Sequence, residues 1–168
     1  MEKAPAIGGG RGAIYRIYKT KTRRAERAEL KIKEDIMEYT KLGNSGIEVS
    51  KLCLGCMSFG DPASKMHAWT LNPEESEKII KHALDLGINF FDTANGYSAG
   101  TSEEYLGRAV KNNVARDKVV LASKVYFNEG HLSKAAINRE IEGTLKRLGT
   151  DYLDLYIIHR FDYGTPIE

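Results

Sequence analysis

Four side chains with complementary proton chemistry stand where strands and their following loops could bring them together: Asp92, Tyr97, Lys124 and His159. Asp92 follows the run Ile88-Asn89-Phe90-Phe91, Lys124 follows Val119 to Ser123, and His159 follows Tyr156-Ile157-Ile158. Each therefore stands at the C-terminal end of a strand-like segment, and Tyr97 lies in the loop after Asp92. In a barrel of parallel strands such ends converge on one rim, where the active sites of that architecture lie. Singly, each has a plainer reading. A strand-end Asp caps turns, a Lys there is a solvated charge, a strand His is a satisfied core residue, and Tyr97 is a packing aromatic. Their joint placement is what favours a site.

The elements that must position these residues repeat. Glu38 to Leu42 and Ile47 to Lys51 flank Gly43-Asn44-Ser45-Gly46, which predicts a β-hairpin. Leu52 to Gly55 then reads as a strand. Asn72-Pro73-Glu74-Glu75 supplies a cap, a Pro at the first helical position and an early acid, opening a helix to about Leu86 with Ile79, Ile80, Ala83 and Leu84 on its apolar face. Ile88 to Phe91 is the next strand. Thr101-Ser102-Glu103-Glu104 reads as a capping box before a helix with Tyr105, Leu106, Ala109 and Val110 inward. Val119 to Ala122 is a strand, a helix follows from Ser133 to Leu148 with Ile137, Ile141, Leu145 and Leu148 as its stripe and Gly149 as its end, and Leu153 to Ile158 is the last strand.

Strands this uniformly apolar are buried on both faces, as a parallel sheet covered by helices requires. A nucleotide-binding doubly wound sheet would carry G-x-G-x-x-G after its first strand, but this one ends Leu54-Gly55-Cys56-Met57-Ser58-Phe59-Gly60. The expected fold is therefore α/β, the N-terminal half of a (β/α)8 TIM barrel with an N-terminal β-hairpin. Four strands and three helices are half of a barrel that needs about 250 residues. Thr165-Pro166-Ile167-Glu168 is another helix-start signal. The expectation is thus an incomplete barrel, inactive and unstable by itself, whose open edges favour self-association.

Residues 1–36 hold ten Lys/Arg against five Asp/Glu, while 37–168 hold fifteen against eighteen. The basic surplus sits in a segment, with Gly8-Gly9-Gly10-Arg11-Gly12 inside it, that reads as a flexible leader outside the domain of residues 37–168. Lys33-Glu34-Asp35-Ile36-Met37 can be encoded by a purine-rich ribosome-binding sequence running into a start codon, which makes Met37 a candidate first residue. A mildly acidic globular part gives no reason to invoke nucleic acid. No apolar run approaches the ~20 residues of a membrane span. Cys53 and Cys56 form a lone C-x-x-C with no further ligands to complete a zinc site, so no metal is expected and two reduced core thiols in a cytoplasmic protein is the reading.

Phe91-Asp92-Thr93-Ala94-Asn95-Gly96-Tyr97-Ser98, Ser102-Glu103-Glu104, Ala122-Ser123-Lys124 and Ile158-His159-Arg160, in this order and at these strand positions, resemble the aldo-keto reductases. The resemblance runs from about Glu38 to the last residue. Residues 52–60, 67–71 and 162–166 look closest to the bacterial YajO-like branch; potassium-channel β-subunits are more distant relatives.

The resemblance implies a catalytic tetrad of Asp92, Tyr97, Lys124 and His159, with hydride passing between NADP(H) and a small-molecule aldehyde or ketone. It makes Tyr97 the proton donor. A free phenol, pKa about 10, is a reluctant acid, and an adjacent ammonium stabilises its anion. Lys124 would supply that ammonium, Asp92 would orient it, and His159 would hold the substrate oxygen. Gly55, Cys56 and Met57, with Asp92, are implied at the cofactor, although Met57 also reads as core filler. Trp69 reads either as a substrate-pocket wall or as a loop anchor. A different class stays open beside the reductase: a catalytically silent regulatory subunit like the channel-associated relatives.

Overall fold

The computed structural model describes residues 37–166. The leader expected over residues 1–36 lies outside the described residues, as do Ile167 and Glu168 at the expected last helix start. The unit that begins at Met37 carries every described strand and helix. Strands β1 (Tyr39–Lys41) and β2 (Glu48–Ser50) pair antiparallel as the predicted hairpin. Strands β3 (Cys53–Gly55), β4 (Phe90–Asp92), β5 (Val120–Val125) and β6 (Leu155–Ile158) form one parallel sheet.

Strand order in this sheet follows chain order, without the reversal that defines a doubly wound sheet. The connecting helices are α1 (Pro73–Asp85), α2 (Thr101–Asn113) and α3 (Lys134–Leu148). Helix α2 packs against both α1 and α3, so the three form one layer. Sequential parallel strands behind a single helical layer are barrel geometry.

Two helices start where the sequence places them, each with a side-chain cap. The Asn72 side chain accepts from Glu75 N at the start of α1, and that of Ser133 accepts from Ala136 N at the start of α3, which ends at Gly149 with φ 67°. Cys56, Phe59, Ile80, Ala83, Phe91, Leu106, Ala109, Val110, Val119, Leu121 and Leu148 form the core between sheet and helices. Gly107 makes the α2 to α3 contact possible: a Cβ there would stand 2.2 Å from the Leu148 carbonyl oxygen.

Apart from β5 running on to Val125 and β6 starting only at Leu155, the structure differs from the sequence reading in four places. Strand β4 begins at Phe90 rather than Ile88, because Asn89 is drawn to the hairpin: its Oδ1 accepts from Ser50 N at 2.7 Å and its Nδ2 donates to Glu48 O. Asp92 and Lys124 are the last and penultimate residues of their strands, not the first residues beyond them. Burial on both faces holds for β5 alone; β3 and β6 border the sheet and stay partly exposed, Cys53 included, so only Cys56 is a core thiol. On α3, Ala136, Thr144 and Leu148 are buried, while Ile137, Ile141 and Leu145 are only half-buried.

The fourth difference concerns the capping box. Helix α2 is preceded by Gly100 at φ 92°, with no side-chain cap. Thr101 Oγ1 instead donates to Ser98 O and accepts from Asp61 N, and Glu103 turns fully inward.

Candidate active site

The ends of β4 and β5 place Asp92 and Lys124 side by side, and main-chain bonds continue the pairing beyond β4. Thr93 N donates to Ala122 O and Asn95 N to Lys124 O, so the backbone leading to Tyr97 stays held against β5. Lys124 Nζ donates to Asp92 Oδ2 at 2.8 Å, to Thr93 O at 2.9 Å and to Tyr97 Oη at 3.1 Å. An ammonium has three N–H donors, and all three are spent. Tyr97 Oη therefore accepts from the lysine, and its own proton is free to be donated elsewhere.

Burial works against the Lys124 charge, yet the hydrogen bonds to Asp92 and Tyr97 together outweigh it and hold the ammonium above the ordinary lysine range. The group is cationic throughout the physiological range. His159 follows β6, its N–H donating to Val125 O, and its ring meets the Tyr97 ring edge-on at 5.5 Å. Burial and then the Lys124 charge hold its imidazole below the usual histidine range, so it is neutral at pH 7. Its Nδ1 is buried without a hydrogen-bond partner in the structure.

The segment that aims Tyr97 is strained. Ser98 and Ala99 adopt φ of 46° and 55°, left-handed values that cost on the order of 1–3 kcal/mol each in non-glycine residues. They persist because their surroundings over-determine them: Ser98 N donates to Met66 Sδ, and Thr101 Oγ1 donates to Ser98 O. Gly60 admits the turn, since a Cβ there would meet the Ser98 side chain at 2.3 Å.

The residues implied at a cofactor are placed unevenly. Asp92 Oδ1 is buried with no hydrogen-bond partner, an orphaned acceptor that calls for an explanation. Gly55 is exposed, with nothing within 4 Å of where a Cβ would stand, and Met57 is 39% exposed. Gly55 and Met57 thus leave an open surface at the end of β3, beside the strand end that carries the orphaned Asp92 oxygen. Cys56, between them in the chain, is fully buried, its thiol pushed up first by that burial. Trp69 is exposed and stacks on His67 at 4.5 Å, which is a contact within its own loop rather than with the tetrad. Among the described residues no group of three or more His, Cys, Asp or Glu side chains is arranged to hold a metal ion.

Two residues in contact with the site or its supporting strand escaped the sequence reading. Phe127, half-exposed, lies edge-on to His159 at 5.0 Å; its position three residues after Lys124 was the available signal. Glu103, fully buried on α2, accepts from Ser123 Oγ at 2.6 Å and from Arg147 Nε at 2.5 Å. An acid in the first turn of a helix signals a cap, which masked its inward role.

A sequence profile of the aldo/keto reductase family matches residues 51–168, and the chain belongs to that family. It is 41% identical over 156 residues to the versiconal hemiacetal acetate reductase of Aspergillus parasiticus, covering 79% of this chain and 45% of that protein. It is 43% identical over 145 residues to the uncharacterized oxidoreductase YrpG of Bacillus subtilis, covering 77% of this chain and 42% of that one. Among solved structures, the thermostable aldo-keto reductase Tm1743 superposes with TM-score 0.66 at 36% identity, covering 77% of this chain and 45% of that one. An aldo-keto reductase from Klebsiella pneumoniae in complex with NADPH superposes with TM-score 0.60 at 34% identity, covering 76% and 41%. This chain thus spans less than half the length of each of these relatives.

Proposed function

We propose that the barrel to which this chain belongs reduces aldehydes or ketones with NADPH, and that Tyr97 donates the proton. The observation that carries this reading is the saturated ammonium of Lys124, which makes Tyr97 Oη an acceptor from the lysine and leaves its own proton for another partner. When bound, the reduced nicotinamide supplies a hydride to the carbonyl carbon. As negative charge grows on the carbonyl oxygen, Tyr97 transfers its proton there, and Lys124 stabilises the phenolate left behind. Asp92 keeps Lys124 charged and oriented through the 2.8 Å bond. The neutral imidazole of His159 holds the oxygen facing the donor, with Phe127 fixing the ring from its edge.

Asp92 and Gly55, with Met57 alongside, are the residues that would face the cofactor, through the free carboxylate oxygen and the open backbone surface. NADP(H) is preferred because the Klebsiella pneumoniae relative binds NADPH. Kinship to the YajO-like branch rests on residues 52–60, 67–71 and 162–166; relatives of the chain are fungal as well as bacterial. Two free cysteines fit a reducing cytoplasm, and among the described residues no helix is long and apolar enough to cross a membrane. Taken alone, the 168-residue chain would associate with copies of itself through β3 and β6, which have one strand neighbour each; sedimentation as a monomer would refute that.

The test is consumption of NADPH by the complete barrel protein against a panel of aliphatic and aromatic aldehydes. Tight NADPH binding without turnover of any member would replace the reductase with the silent regulatory reading.

A further inference from the structure

Glu103 and Arg147 make a buried ion pair that no step of the proposed reaction uses. Glu103 is fully buried, and the Arg147 side chain is 25% exposed. The pair touches both elements that carry the proton-donating couple. On one side, Glu103 Oε1 accepts from the hydroxyl of Ser123, the residue immediately before Lys124 on β5. On the other, the Arg147 side chain lies so close over Gly100 that a Cβ there would stand 2.7 Å from Arg147 Cδ and 3.0 Å from Nε. Gly100, at φ 92°, closes the left-handed turn that starts at Ser98, directly after Tyr97.

A strained turn relaxes unless its surroundings hold it. Met66 and Thr101 bind the turn at Ser98, and Arg147 covers its other end at Gly100. A guanidinium in that position needs a fixed partner, because an unpaired charge there would move toward solvent. Glu103 is that partner, and it is itself fixed by Ser123 on the strand of Lys124.

We propose that the Glu103–Arg147 pair is a positioning device that sets the distance between Tyr97 and Lys124, by tying the turn after Tyr97 to the strand that carries Lys124. It touches neither substrate nor cofactor. The inference rests on the reading of Tyr97 and Lys124 as the donor couple.

The discriminating variant is the double substitution Glu103→Leu with Arg147→Met. It replaces a buried ion pair by apolar groups of similar volume, a change that is often neutral for stability. The first readout needs no turnover: hydrogen exchange of the Lys124 ammonium protons in the isotope-labelled complete enzyme, with Tyr97→Phe as the reference for a lost phenol contact. Exchange in the double variant should accelerate to the Tyr97→Phe value. In the complete enzyme, kcat should fall at least about tenfold, the KM for NADPH should stay within about twofold, and the solvent deuterium isotope effect on kcat should rise as proton transfer becomes limiting. Arg147→Lys, which keeps an aliphatic stem over Gly100 and a cation facing Glu103, should recover most of the loss.

Parental exchange and parental kcat in a folded double variant would overturn the proposal. If the double variant does not fold, Glu103→Gln decides: a smaller change in the same direction supports the device, and parental values refute it. Should Tyr97→Phe itself leave exchange and turnover unaltered, the donor assignment fails instead, and the two failures are told apart.

Discussion

Lys124 Nζ and Tyr97 Oη are 3.1 Å apart, although 27 residues separate them in the chain and one sits on a strand while the other sits in a loop. Nothing local produces this contact. It needs the parallel pairing of β4 with β5, which sets Asp92 opposite Ala122, and a turn after Tyr97 that folds the phenol back over the strand ends. The lysine side chain is 13% exposed, so the contact is shielded from water and its electrostatic effect is strengthened.

Removing the hydroxyl tests the donor directly. Tyr97→Phe in the complete enzyme keeps the ring against His159 and deletes only the proton and the acceptor for Lys124. Steady-state kinetics should show kcat reduced by about 10²-fold or more with NADPH affinity nearly unchanged, the pattern of an interaction made mainly in the transition state. Full turnover by this variant would remove Tyr97 from the chemistry.

Lys124 raises a separate expectation about pH. Its proton is held above the ordinary lysine range, so the folded state binds that proton more tightly than the unfolded chain does. The resulting stabilisation is fully present below the unfolded lysine value and is lost as pH rises through the folded value. Alkaline unfolding curves of the parent and of Lys124→Met should therefore converge at high pH and separate below it. Parallel curves across the whole range would contradict the coupling.

The convergence of Asp92, Tyr97, Lys124 and His159 was legible because strands punctuate the sequence: an apolar run ending in Asp, Lys or His marks position along the barrel axis, and parallel topology brings the ends together. Helix starts at Asn72 and Ser133 were equally legible, since a cap acts within three residues of itself. Legibility failed where a side chain chose a distant partner over a local one. Asn89 bonds the hairpin across 39 residues, and Glu103 abandons the helix start for Ser123 and Arg147, 20 and 44 residues away. Ile137 and Ile141 misled differently: helical periodicity shows that a stripe exists, not whether anything covers it.

His159 should titrate below the ordinary histidine value. Burial is the main cause, followed by the neighbouring Lys124 charge. The unfolded chain then binds this proton more readily, so the contribution to stability is present above the unfolded value and is lost as pH falls through the folded one. The His159 ring-proton resonance, assigned by its absence in His159→Gln, reports the titration. Lys124→Met should move it upward by removing the repelling charge. A midpoint at or above the ordinary value in the parent would show that the ring is not held neutral.

Two glycines separate a packing requirement from a binding one. Gly107→Ala places a methyl 2.2 Å from the Leu148 carbonyl oxygen and 2.7 Å from Leu148 Cα, backbone atoms that cannot swing aside. Helices α2 and α3 must separate, and the loss should be about 1–3 kcal/mol, read as a lower urea midpoint at an unchanged slope. Gly55→Ala meets open space on the exposed end of β3, so the same measurement should change by no more than about 0.5 kcal/mol. Its effect belongs elsewhere: if the cofactor lies on this surface, the added methyl intrudes, and the NADPH dissociation constant of the complete enzyme should rise severalfold. Unaltered NADPH affinity in Gly55→Ala would move the cofactor away from the β3 end, and unaltered stability in Gly107→Ala would mean that α2 and α3 are not in van der Waals contact there.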